Sequence, residues 1–144
     1  MRTFVDSWQA WAALSALFAA ITAILAKIGV QGVNTNYATL VRTVVILLLL
    51  LGIVAVTGGF QPLSSVSRRS LVFLVLSGLA TGASWLCYFH ALKFGPVSQV
   101  APIDKLSLLL VAILGVLLLG ERLTALGWLG VGLMAAGAFL LVWK

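Results

Sequence analysis

The chain has 144 residues, of which 62% are hydrophobic and 8% charged, and its mean hydropathy is +1.20. A water-soluble domain carries far more charge, so this composition indicates an integral membrane protein. Nine Lys and Arg against three acids give a net charge of +6. Most of the cations stand singly near the ends of apolar segments, where cations meet lipid headgroups, which argues against nucleic-acid binding. A single cysteine, Cys87, excludes an intramolecular disulfide.

Five segments are apolar over roughly twenty residues, the length that a helix needs to cross a bilayer. In chain order, helices are predicted at 8–28, 37–57, 71–92, 97–119 and 124–143. The first segment is too long for the apolar part of a signal peptide, so we expect it to be retained as a helix. The links are short and polar or marked by Gly and Pro, so consecutive helices should be antiparallel neighbours. The predicted fold is an all-α membrane bundle forming one domain over residues 1–144.

An odd number of spans places the two termini on opposite sides of the membrane. The N-terminal side then holds Arg2, Arg68, Arg69 and Arg122, and the other side holds Lys27, Arg42, Lys93, Lys105 and Lys144. Such a balance leaves the positive-inside rule without a clear orientation. Two interpretations stay open: weak orientation by Arg68 and Arg69 alone, or dual topology, in which copies insert both ways and pair antiparallel.

The first predicted helix carries an aromatic and hydroxyl stripe. At helical spacing the stripe consists of Trp8, Trp11, Ser15, Phe18 and Thr22. Such a stripe suits the wall of a cavity, and it makes Trp11 a candidate substrate-binding residue. The alternative, favoured for Trp8, is anchoring at the membrane interface.

The third predicted helix has the clearest polar face. That face comprises Ser77, Thr81, Ser84 and Tyr88, and the row beside it comprises Gly78, Gly82, Trp85 and Phe89. We predict that Ser84, Trp85 and Tyr88 line a substrate cavity. The alternative is packing, because hydroxyls in a membrane helix can bond their own helix backbone.

The fourth predicted helix contains a charged pair just beyond a proline. Asp104 lies on the order of 10 Å inside the helix start, and Pro102 removes one helix hydrogen bond. Arg42 enters its own helix to a depth of roughly 8 Å from the same side. Ionisable groups at this depth usually mark a transport path, so Arg42, Asp104 and Lys105 are candidate substrate or coupling residues. A structural ion pair of Asp104 with Arg42, Lys27 or Lys105 remains the alternative.

The last helix lacks polar side chains beyond Thr124, a candidate N-cap. Its small residues predict close packing and a possible subunit interface through Gly132 and Ala136. We find no catalytic constellation, no metal-ligand spacing and no phosphate-binding loop along the chain. The sequence therefore predicts neither an enzyme nor a cofactor-binding protein.

Two runs make the chain resemble a known family. Leu92-Lys93-Phe94-Gly95-Pro96-Val97-Ser98 with Ala101-Pro102, followed by Leu119-Gly120-Glu121-Arg122-Leu123-Thr124, is similar to the EamA domain of the drug/metabolite transporter superfamily. Most members carry two such five-helix units as an inverted repeat. With one unit, this chain resembles the half-size bacterial members, which an antiparallel homodimer would complete.

The resemblance implies a transporter of small metabolites or drugs, commonly an exporter, in the bacterial inner membrane. Alternating access around a midplane cavity is the implied mechanism. The related small multidrug exporters use a carboxylate in their first helix for proton coupling, whereas Asp6 precedes the first span here. Two alternatives lack independent transport: an accessory membrane subunit and a component of a lipid-carrier flippase.

Overall fold

The computed structural model describes residues 7–143. Arg2, Asp6 and Lys144, which entered the sequence arguments above, lie outside the described residues. The α-helices of the described chain are α1 (Trp8–Gly29), α2 (Thr35–Val56), α3 (Arg68–Phe94), α4 (Val97–Asp104), α5 (Ser107–Leu119) and α6 (Ala125–Val142). A short 3-10 turn, Leu63–Ser65, lies between α2 and α3, and residues 7–143 contain no strand.

Five helical segments are long and apolar enough to cross a membrane: α1, α2, α3, α6 and the combined segment Val97–Leu119. This finding confirms the predicted all-α fold with five spans, and it identifies a multi-pass membrane protein. Large apolar side chains remain exposed along these spans, as lipid contact requires; Val56, for example, is 90% exposed. Helix α3 begins at Arg68, three residues before the predicted start, so the arginine pair lies in its first turn.

Local capping explains where the helices begin and end. The Asn34 side chain accepts hydrogen bonds from the backbone N–H groups of Asn36 and Tyr37 at the start of α2. The Thr124 hydroxyl accepts one from the N–H of Gly127, which confirms Thr124 as the N-cap of α6. Helix α5 ends at Leu119 and is capped by Gly120, whose φ of +70° lies in the left-handed region that favours glycine.

The fourth span, predicted as one helix, is interrupted between α4 and α5 at Lys105 and Leu106. The N–H of Lys105 still donates to the carbonyl of Ala101, four residues back. Beyond it the hydrogen bonds join residues three apart, from the N–H groups of Leu106, Leu108 and Leu109 to the carbonyls of Ile103, Lys105 and Leu106. Pro102, just before the interruption, has no N–H to donate and crowds the preceding turn. Helices commonly tighten or kink next to such a proline. The tighter turn here places Asp104 and Lys105 at the break.

The described chain falls into two compact units. Residues 26–93 form one unit, which contains the end of α1, all of α2 and α3 up to Lys93, and the remaining described residues form the other. In the second of these, α6 packs against both α4 and α5. In the unit of residues 26–93 the buried side chains include Val30, Thr35, Phe89 and Leu92. That the chain forms a single transmembrane domain stays a prediction.

Candidate functional site

Helix α2 presents one face that combines hydroxyls with a cation. Thr35 and Thr39 are buried and Arg42 is half-buried, at spacings of four and three residues that place them on one helix face. The Thr39 hydroxyl donates to the Thr35 carbonyl at 2.9 Å, and the Thr43 hydroxyl donates to the Thr39 carbonyl at 2.8 Å. The hydroxyls are thus satisfied within the helix. Arg42, about 10 Å beyond the start of α2, is the charged group of this face.

Arg42 contacts two aromatic rings of α3. Its Cζ atom lies 4.1 Å from the centroid of the Trp85 ring and 5.5 Å from that of Phe89. The two rings are four residues apart, so both stand on one face of α3. Cation–π contacts are worth about 0.5–2 kcal/mol, the larger figure applying when the cation is desolvated. Such contacts help to hold a cation at membrane depth.

A second cation contacts α3 near its C-terminus. The ζ-ammonium of Lys27, in the last turn of α1, donates a hydrogen bond of 2.6 Å to the carbonyl oxygen of Leu92. Leu92 is fully buried and lies near the C-terminus of α3, where helix carbonyls lack intrahelical partners. The C-terminal part of α3 is therefore contacted by two cations, Arg42 at Trp85 and Phe89 and Lys27 at the carbonyl of Leu92.

The charge balance of this unit is entirely positive. Residues 26–93 contain the five cations Lys27, Arg42, Arg68, Arg69 and Lys93, and no Asp or Glu. A carboxylate of the same unit therefore cannot neutralise Arg42. The rings of Trp85 and Phe89 offer the negative faces of their quadrupoles, which offset part of the charge.

The polar stripe of α3 is less buried than the row beside it. Ser84 is exposed and Tyr88 is half-buried. The Thr81 hydroxyl donates to the carbonyl of Ser77 at 2.9 Å, the backbone bonding that packing predicts. Phe89, which sequence reasoning did not name as a site residue, is buried against Arg42. Its position four residues after Trp85 was the available signal.

The charged pair of the fourth span sits at the interruption of the helix. The Lys105 ammonium lies 3.3 Å from the Asp104 carboxylate, and the two side chains are 56% and 36% exposed, respectively. Of the three predicted partners of Asp104, namely Arg42, Lys27 and Lys105, this contact is with Lys105. A cleft of about 10 Å³, room for roughly one water, adjoins this pair between α5 and α6 and is lined by Lys105, Leu106, Leu108, Leu109, Val131, Met134 and Ala135.

Trp11, a predicted site residue, and Glu121, a residue of the family-like run, lie in the same unit as this pair. Trp11, on α1, is 59% exposed. Glu121, from the family-like run, folds back over the end of α5, where its N–H donates to the Gly115 carbonyl at 3.1 Å. Its Oε2 stands 2.8 Å from the position that a Cβ on Gly115 would occupy. Gly115 thus leaves room for the glutamate side chain at this turn.

A family model for the EamA-like transporter family matches residues 6–143. The chain belongs to this family. It is 60% identical over 135 residues to an uncharacterized transporter in the cobO 3' region of Sinorhizobium sp., a match covering 94% of this chain and 96% of that protein. The family and this relative identify a transporter, in agreement with the resemblance noted in the sequence.

Shorter matches connect the chain to other proteins. It is 34% identical over 74 residues to a probable 4-amino-4-deoxy-L-arabinose-phosphoundecaprenol flippase subunit ArnE of Hamiltonella defensa, covering 51% of this chain and 67% of that protein. It is 36% identical over 76 residues to an uncharacterized transporter of Pseudomonas aeruginosa, covering 53% of this chain and 26% of that longer protein. No solved structure matches the chain.

Proposed function

We propose that this EamA-family protein moves a small metabolite or drug across the bacterial inner membrane, outward, by alternating access. The observation that carries the mechanism is the interrupted fourth span with Asp104 and Lys105 at its break. Discontinuous membrane helices are a common way for transporters to build a site, because their broken ends expose backbone dipoles to substrate or coupling ions. Broken backbone at membrane depth is tolerated where protein or a water-filled cavity satisfies it.

The working unit of this proposal is an antiparallel homodimer. An odd number of spans inverts one unit relative to the next when two units are joined, and a single unit reproduces that arrangement by pairing copies of opposite orientation. The near-equal count of cations on the two sides supports it, since neither orientation is favoured.

Reconstitution tests the proposed transport. The purified protein is placed in liposomes loaded with a bacterial metabolite extract, and the released compounds are measured by mass spectrometry. We expect selective release that protein-free liposomes and liposomes with the Asp104→Asn variant do not show. Release of the same compounds at the same rate from all three would contradict independent transport.

A second candidate function is that of a subunit in a flippase for a phosphate-linked lipid carrier. The match to the ArnE flippase subunit supports it. A protein of this kind would be inactive alone in the liposome assay. It would also elute with a different membrane protein when purified under mild conditions from its own cells. The transporter family and the transporter-named relative favour either carrier role over an enzyme.

A further inference from the structure

We propose that Arg42, resting on Trp85 and Phe89, is an oxyanion-binding group, and that the substrate is an organic anion with a carboxylate or phosphate on an apolar body. The inference rests on the proposed transport function and adds a substrate class to it. The ligand assigned to Arg42 is an oxyanion.

The ring contacts of the Arg42 guanidinium leave its N–H donors available to a ligand. Arg42 meets the rings of Trp85 and Phe89 through Cζ distances of 4.1 and 5.5 Å. Among residues 7–143 the guanidinium takes part in no hydrogen bond and no ion pair. Ring contacts do not consume the five N–H donors, which lie in the plane of the group. Arg42 is half-buried, so part of the residue remains accessible.

The donors fit an oxyanion in particular. The planar fork of arginine matches the spacing of two oxygens on a carboxylate or phosphate and binds them through two parallel hydrogen bonds. Such charge-assisted bonds strengthen where water is scarce. A cationic ligand would meet repulsion instead, because residues 26–93 hold five cations and no acid. The Lys27 ammonium, one turn along α3 at Leu92, adds to the same positive field.

The surroundings of Arg42 indicate what the anion is attached to. Trp85 is half-buried, so part of its ring remains available beside the guanidinium. Phe89 is 4% exposed and forms the floor of the site. A ligand whose oxygens engage Arg42 would place its body against Trp85, a surface suited to an apolar or aromatic group. The oxyanion can belong to a soluble metabolite or to a lipid phosphate, which share this chemistry.

The test uses three probes with one chain length: hexyl phosphate, hexanoate and hexylammonium. Binding to the full-length protein in phosphatidylcholine nanodiscs is followed by tryptophan fluorescence, with Trp85→Phe identifying the signal of Trp85. We expect saturable binding of the two anions and none of hexylammonium. Arg42→Gln should weaken anion binding by about tenfold or more, since charge-assisted hydrogen bonds are lost.

Arg69→Gln is the matched control. Arg69 belongs to the same unit and lies over the Phe73 ring at 6.0 Å, in the first turn of α3. The Arg69→Gln variant removes one positive charge and one ring contact away from the site. Anion binding should therefore stay within about twofold of that of the unmodified protein, as for a screened surface charge. Equal losses in the two variants, or equal binding of hexylammonium and the anions, would overturn the proposal.

Further arms separate the two sources of the anion and guard against misfolding. Nanodiscs containing phosphatidic acid without soluble probe report a lipid phosphate; saturation by hexyl phosphate or hexanoate in phosphatidylcholine alone reports a soluble anion. If Arg42→Gln does not fold, Arg42→Lys takes its place, because lysine keeps the charge and lacks the planar fork. Arg42→Lys should bind anions more weakly than the unmodified protein does. Thermal stabilisation of the unmodified protein by anions and not by hexylammonium tests the inference independently of any variant.

The outcome separates this inference from the transport function. Export of neutral or cationic compounds that Arg42→Gln leaves unchanged would sink the oxyanion site and keep the transporter. Arg42-dependent anion binding without export of any compound by the purified protein would keep the site. The subunit role would then replace independent transport.

Discussion

The ζ-ammonium of Lys27 donates a hydrogen bond of 2.6 Å to the carbonyl oxygen of Leu92, joining the last turn of α1 to the last turns of α3 across 65 residues of chain. Leu92 is fully buried, and Lys27 is half-buried. A lysine near a helix C-terminus satisfies a carbonyl and complements the negative end of the helix dipole. This bond ties the end of α1 to α3 three residues beyond Phe89, so it supports the part of α3 on which Trp85 and Phe89 stand.

Lys27→Met should therefore destabilise the protein, because it leaves the Leu92 carbonyl without its charged donor. Hydrogen bonds to charged groups contribute about 1.5–3 kcal/mol to the free energy of unfolding. The measurement is thermal or denaturant unfolding in a mild detergent. Lys93→Met is the control, since Lys93 is an exposed lysine in the last turn of α3. Comparable losses in both variants would show that the charge alone matters at this end of the molecule.

The turn between α5 and α6 gives a second prediction. Gly120→Ala should destabilise the protein by about 1 kcal/mol, because φ at Gly120 is +70° and a Cβ is strained there. Gly52→Ala, in α2 with no atom within 4 Å of the added Cβ, is the control and should be neutral or stabilising. The measurement is the unfolding midpoint of each variant. An unchanged midpoint for Gly120→Ala would show that this turn relaxes without cost.

Gly115→Ala separates the role of Glu121 from that of the backbone turn. The added Cβ would stand 2.8 Å from Glu121 Oε2, the far end of a flexible side chain, so the carboxylate should move while α5 stays intact. We expect a loss of stability below that of Gly120→Ala. If Gly115→Ala abolishes transport in the liposome assay while the protein stays folded, the position of Glu121 has a functional role beyond packing.

The spans were predictable from the sequence, whereas the contacts between helices were not. Hydropathy and helix length set the five segments, because a bilayer demands roughly twenty apolar residues from each. Pro102 indicated a distortion near Lys105, but a proline in a helix predicts a kink and does not by itself predict that the helix divides in two. The packing of Arg42 on Phe89 could not be predicted from the sequence, because side-chain contacts between α2 and α3 depend on which faces the two helices turn toward each other. The polar stripe drew attention to Ser84, yet the row through Trp85 is the one that meets the cation.

The topology prediction follows from the charge count. A reporter fused to either terminus should be found on both sides of the membrane, because the flanking cations favour neither orientation. Adding two lysines beside the Arg68–Arg69 pair should shift the population toward one orientation and lower the transport activity, since an antiparallel homodimer needs both. Detection of one orientation in every fusion would contradict dual topology, and full activity of the shifted protein would contradict the antiparallel dimer.

The role of Asp104 is decided by measuring stability and transport together. Its partner Lys105 is 56% exposed, so the ammonium left by Asp104→Asn can reach polar surroundings and need not remain buried and unpaired. Exposed ion pairs contribute about 0.2–1 kcal/mol, so the unfolding midpoint should change little. Transport should nevertheless be lost if the carboxylate binds substrate or a coupling ion, and Asp104→Glu, which keeps the charge, should retain part of it. Full transport by Asp104→Asn would remove the carboxylate from the mechanism, and unfolding of the same variant would show that the pair is a structural element of the broken span.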